Sequence, residues 1–113
     1  MSQITTHVLD TAAGKPAGGV PVRFYRSTGD DTWEDVARGI TNADGRIASL
    51  LPASQKLVPG TYCLAFDTKT YFGNQKTKAF YPKVEIVFEV LDSEHYHVPL
   101  LLSPFGYSTY RGS

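Results

Sequence analysis

Residues 96–103 read Tyr-His-Val-Pro-Leu-Leu-Leu-Ser, and the reading of this stretch decides the fold. Side chains of an extended strand alternate between faces, so Val98, Leu100 and Leu102 share one side and His97, Pro99 and Leu101 share the other. The second set is nearly as apolar as the first. A strand apolar on both sides is covered on both sides. In a sandwich of two sheets the facing sheet covers one side only, so the other is either a large exposed Pro/Leu patch or a surface that a second subunit covers. The strand therefore predicts an oligomer interface, with His97 on the covered side.

Outward from it, similar short runs rich in Val, Ile, Thr, Tyr and Phe recur along the chain. Strands are expected at ITTHVLD (residues 4–10), VPVRFYRS (20–27), DVARGIT (35–41), RIASL (46–50), GTYCLAF (60–66), VEIVFEVL (84–91) and GYSTYRG (106–112). The breaks between them, AAGKPAGG, TGDD, NADG, LVPG and LDSE, are clusters of Gly, Pro, Asn and Asp. Asp44-Gly45 carries the chemistry of a tight turn, so TNADGRI reads as a hairpin. Only DTKTYFGNQKTK has room for a helix, and Gly73 keeps it to a turn or two. About eight short strands and one short helix in 113 residues make one all-β, two-sheet sandwich domain spanning residues 1–113.

Charge and composition narrow the partners. Eleven basic and eleven acidic residues give a formal net charge of zero, which argues against a nucleic acid or an anionic membrane surface. No apolar stretch approaches the ~20 residues of a membrane span. MSQITTHVLD lacks the basic start and apolar run of a secretory leader. The single cysteine, Cys63, lies inside a strand and reads as a buried, inert thiol. The expectation is a protein of a reducing compartment, the cytoplasm, although a trimmed leader would leave the same sequence.

The chemistry-bearing residues are few. His95 and His97 form a His-x-His pair, and His7 lies within another strand. A pair at that spacing on one strand face suits zinc, with His7 as a third ligand. Against this, His95 sits in the polar turn LDSEHY, and neither a cysteine nor an acidic residue stands at a tight ligand spacing. Arg46, after the NADG turn, reads alone as a solvated cation. The chain contains no Gly-rich phosphate loop and no Gly-x-Ser-x-Gly elbow. Spacing leaves ordinary half-buried histidines, a metal site and a metal-free His/Arg site all open.

Five stretches, in order, resemble the transthyretin family: HVLDTAAGKPAGGVPVRFYR, DDTWEDVARGITNADGRI, GTYCLAFDTKTYF, FYPKVEIVFEV and HYHVPLLLSPFGYSTYRGS. The Gly-x-Pro-Ala turn with a later Asp-Gly and Pro-Gly-x-Tyr also occurs in non-catalytic sandwich modules. The terminal Tyr110-Arg111-Gly112-Ser113 is more specific. It is similar to the ending of the branch of the family that hydrolyses 5-hydroxyisourate, and His7, Arg46 and His97 fall on that branch's catalytic positions.

The resemblance implies a transthyretin-like sandwich assembled as a homotetramer, a dimer of dimers whose interface forms a channel. It implies catalytic roles for His7, Arg46, His97 and Ser113, and substrate contacts from Tyr110, Arg111, Gly112 and Leu101. It implies a small-molecule substrate, 5-hydroxyisourate, and neither metal nor organic cofactor. The tail would close the channel and wall the site. The competing reading is a transthyretin-like carrier that binds a ligand without catalysis.

Overall fold

The computed structural model describes residues Met1–Ser113. Eight strands and one helix follow in the order β1 (Ile4–Asp10), β2 (Lys15–Pro16), β3 (Pro21–Gly29), β4 (Thr32–Ile40), β5 (Gly60–Phe66), α1 (Thr68–Asn74), β6 (Val84–Val90), β7 (Tyr96–Ser103) and β8 (Gly106–Thr109). They form two four-stranded sheets, ordered β2-β1-β7-β8 and β4-β3-β5-β6. The expected all-β sandwich with one short helix is the fold that forms.

The alternation of β1 shows why. Ile4, Thr6, Val8 and Asp10 are buried, while Thr5, His7 and Leu9 are only half-covered. On β7, Tyr96, Val98, Leu100 and Leu102 join the buried core. Twenty-one apolar side chains from both sheets make one cluster, centred on Phe24, Tyr62, Leu64, Phe66 and Leu100. Each fully buried Leu or Phe contributes about 1.5–3 kcal/mol of transfer free energy. Asp10 closes β1 inside this core. Its carboxylate accepts the Tyr71 hydroxyl at 2.6 Å and the Ala13 N–H at 2.9 Å, so α1 is fastened to the end of the strand.

The helix behaves as its sequence suggests. The Asp67 carboxylate accepts the Thr70 N–H at 3.0 Å and caps the N-terminus, Tyr71 and Phe72 face the core, and the helix stops one residue after Gly73. Cys63 is buried and its thiol is pushed up to about 11, chiefly by burial, which keeps it protonated and unreactive.

Two elements differ from expectation. Lys15–Pro16, placed in a break by its Gly and Pro neighbours, forms a short edge strand against Leu9–Asp10. RIASL is not a strand: only Arg46 bridges, and its partner is His7 in the other sheet. The turn before it forms, but it carries the chain from β4 in one sheet to β1 in the other, so TNADGRI is a crossing and not a hairpin. Local turn chemistry was right; the destination was set by which open strand edge the turn met.

Candidate active site

The site begins with the one parallel pairing in the fold. β1 and β7 run side by side with Thr5 opposite His97, His7 opposite Pro99 and Leu9 opposite Leu101. All six side chains lie on the face turned away from the core, because their strand neighbours supply the core. His97 and Leu101 are half-buried there and Pro99 is buried. Two histidines distant in sequence thus share one face within two residue steps.

Arg46 arrives through the crossing. The Asn42 side-chain carbonyl accepts the N–H groups of Asp44 at 2.9 Å and Arg46 at 3.1 Å, which closes the turn. The Gly45 carbonyl then accepts the Val8 N–H at 2.8 Å, laying the segment along β1. Gly45 has a φ of +75°, and a side chain there would meet the Val8 carbonyl, so only glycine permits this approach. Arg46 is left paired with His7.

The electrostatics agree with this assembly. Burial first, then the Arg46 guanidinium, hold the His7 imidazole below its ordinary value, with the Asp44 carbonyl pulling the other way. His97 is lowered by burial, then by Arg46, His95 and His7, while the Thr5 carbonyl opposes them. Both rings are therefore biased toward the neutral form, which is the form that can accept a proton.

The terminal tetrapeptide divides. Gly112 bridges to His97, donating its N–H to the His97 carbonyl at 2.8 Å. It lies flat over the His97 and Pro99 side chains, so part of the apolar outer face of β7 is covered by the chain's own tail. The Arg111 guanidinium stacks over the Tyr96 ring at 4.3 Å, which turns it away from the histidine face. Tyr110 is 57% exposed and Ser113 is also exposed. Leu101, two residues beyond Pro99, sits between Leu9 and Ser108 on the same face. The structure brings together His7, Arg46, His97 and Gly112; it leaves Tyr110, Arg111 and Ser113 at the rim.

One residue was missed and one undervalued. The Thr5 hydroxyl lies 2.7 Å from His97 Nδ1 and 2.7 Å from His95 Nε2. His95 lies outside the strand as expected, but its ring stacks near that of His97, with centroids 6.3 Å apart. The only hint in the sequence was that Thr5 and His7 share a strand face. Without the β1–β7 register nothing connected Thr5 to His97. No three His, Cys, Asp or Glu side chains converge as a metal-ligand set. A cavity of about 480 Å³ lies along β3, β5 and β6 and includes none of these residues. The histidine face is an open sheet surface.

Comparison with known proteins fits the geometry. The profile of the HIUase/Transthyretin family matches residues 4–112. The 5-hydroxyisourate hydrolase of Mus musculus is 48% identical over 114 residues, spanning 99% of this chain and 96% of that protein. Among solved structures, sea bream transthyretin in complex with thyroxine superposes with a TM-score of 0.90 at 37% identity, over 97% of this chain and 94% of that one. The 5-hydroxyisourate hydrolase of Klebsiella pneumoniae gives a TM-score of 0.84 at 37% identity, covering 97% and 98%. Backbone likeness therefore extends both to a 5-hydroxyisourate hydrolase and to a thyroxine-complexed transthyretin. By sequence and by fold, this chain belongs to the HIUase/Transthyretin family.

Proposed function

We propose that this chain hydrolyses 5-hydroxyisourate to 2-oxo-4-hydroxy-4-carboxy-5-ureidoimidazoline, a step of urate degradation. The observation that carries the reading is the meeting of His7, Arg46 and His97 on one sheet face. Hydrolysis of a cyclic acyl carbon–nitrogen bond needs an activated water and a stabiliser for the developing oxyanion. His7 and His97 hold and deprotonate the water; neutral imidazoles suit that task. Arg46 offers a planar fork of donors to the carbonyl oxygen. Ser113 supplies a hydroxyl to the ring edge, Tyr110, Gly112 and Leu101 shape the wall, and Arg111 braces the tail through its stacking on Tyr96. No step requires a metal or an organic cofactor.

An open sheet surface does not enclose a substrate by itself. In this reading a homotetramer, a dimer of dimers, covers the outer face of β1 and β7, and neighbouring subunits share a channel. The half-buried Leu101 and the exposed Tyr110 support it, since each leaves apolar surface that a second copy would cover.

The test is the absorbance decay of 5-hydroxyisourate, freshly made from urate, with and without the protein. Acceleration that disappears in His97→Ala supports the reading; a decay unchanged by the protein overturns it. The likeness to a thyroxine-complexed transthyretin keeps a carrier reading in view. Saturable thyroxine binding without any acceleration of the decay would favour that reading instead.

A further inference from the structure

We propose that Thr5 is a positioning residue that holds the proton of His97 on Nδ1 and passes it to His95, making His97 the base and His95 the exit to solvent. The inference deepens the hydrolase reading and rests on it for the direction of proton flow.

The argument starts from proton counting. Thr5 Oγ1 stands 2.7 Å from His97 Nδ1 and 2.7 Å from His95 Nε2, and one hydroxyl carries one hydrogen. It can donate to one ring only, so the other ring must present an N–H. Three arrangements satisfy both contacts: one in which both rings donate to the hydroxyl, which leaves His95 Nε2 unable to take a proton from it, and two in which the hydroxyl donates to one ring and accepts from the other. In the first of these two, His97 Nδ1–H donates to Thr5 and Thr5 donates to His95 Nε2. In the other, both directions reverse, and the His97 proton sits on Nε2, where it blocks water activation. Only the first of these two leaves His97 Nε2 free to take a proton from water and His95 Nε2 free to take one from Thr5, so the hydrolase reading selects the tautomer that donates toward Thr5. Thr5 is fixed for the task, since its register position on β1 is opposite His97 on β7. Gly112 covers the Cδ2 edge of the same ring, so His97 is held from two sides.

The step balances. The water oxygen bonds to the acyl carbon as its proton goes to His97 Nε2. The Nδ1 proton moves to Thr5 Oγ1, and the Thr5 hydroxyl proton moves to His95 Nε2. His95 is exposed, so the resulting imidazolium releases its proton to bulk water. The ring carbon–nitrogen bond breaks as the nitrogen takes the proton from His97 Nε2; solvent reprotonates His95, whose Nε2 proton returns through Thr5 to His97 Nδ1 and restores the starting arrangement. The charges that face His97 are Arg46, His7 and His95; all disfavour a cation there and drive the proton outward.

The experiment compares Thr5→Val, Thr5→Ser and His95→Ala in the full chain. Thr5→Val keeps the shape and removes the hydroxyl. Its kcat should fall at least ~10-fold, given the ~10²–10⁴-fold worth of general-base catalysis, with KM little changed. Thr5→Ser should restore most of the rate. His95→Ala should slow turnover and be accelerated by added imidazole. A folded Thr5→Val with wild-type kcat and pH profile overturns the relay, as does a Thr5→Ser no better than Thr5→Val. Imidazole nitrogen NMR gives a readout that needs no turnover. His97 should carry its proton on Nδ1 in the wild type and lose that preference in Thr5→Val; an identical spectrum in both overturns the inference. An inert wild type would sink the hydrolase reading, and the tautomer would then decide the Thr5 arrangement by itself.

Discussion

Gly112 and His97 are joined through the main chain and pressed together through the side chain. The Gly112 N–H donates to the His97 carbonyl at 2.8 Å, and a Cβ built on Gly112 would stand 2.6 Å from His97 Cδ2 and 3.3 Å from Pro99 Cγ. The tail thus fixes both the backbone and the ring plane of a residue 15 positions earlier.

Gly112→Ala tests this. The added methyl cannot fit without displacing the His97 ring, and that ring is held on its far edge by Thr5. A misplacement of about 1 Å costs on the order of 10²-fold in rate. The expected outcome is a kcat reduced by that order with a melting temperature close to wild type, because no tail residue belongs to the core cluster. Turnover assays and thermal melts on the same preparation check it; wild-type kcat would show that the tail does not set the ring.

Gly45→Ala should act on Arg46 at a distance. A β-carbon at a φ of +75° is strained, and it meets the Val8 carbonyl, so the crossing lifts off β1. The Val8–Gly45 hydrogen bond weakens and the guanidinium loses its place beside His7. Stability should fall by about 1–3 kcal/mol, and kcat should fall toward that of Arg46→Ala. Denaturant unfolding and steady-state kinetics measure the two losses separately.

The pH dependence follows from the two lowered histidines. Both fold with an affinity for protons below the ordinary value of 6.5. A neutral His97 base should keep turnover flat from alkaline to neutral pH and lose it as pH falls through the lowered value. Linkage gives the same direction for stability: between the lowered value and 6.5 the unfolded chain binds more protons, so folding stability rises with pH across that window and levels off above it. Arg46 contributes to both shifts, after burial. Arg46→Gln should therefore move the acid limb of the rate profile toward higher pH, besides lowering kcat. An acid limb that stays in place would show that the charge of Arg46 does not reach the base.

Leu101→Arg tests the assembly. The side chain lies between Leu9 and Ser108 on the face assigned to the channel. An unpaired charge buried in an interface costs several kcal/mol. Light scattering should report a tetramer for the wild type and smaller species for the variant, with turnover lost in parallel. A wild type that scatters as a monomer at micromolar concentration would remove the shared channel.

How much of this was legible in the sequence can be stated residue by residue. The alternation of ITTHVLD and YHVPLLLS determined which side chains enter the core, because period-two patterning is a local property of an extended chain. It determined that His97 points outward with Pro99 and Leu101, and the side chains of DTKTYFGN determined a helix of two turns; that His7 joins that face came from the structure. The pairing of these elements was not local. Whether Arg46 continued a hairpin or crossed to β1 depended on an open strand edge nearly 40 residues earlier. Whether Thr5 touched His97 depended on a parallel register between strands some 90 positions apart. Tertiary structure alone decided these contacts: a strand's sequence specifies its faces, whereas its neighbours are chosen by the packing of the whole core.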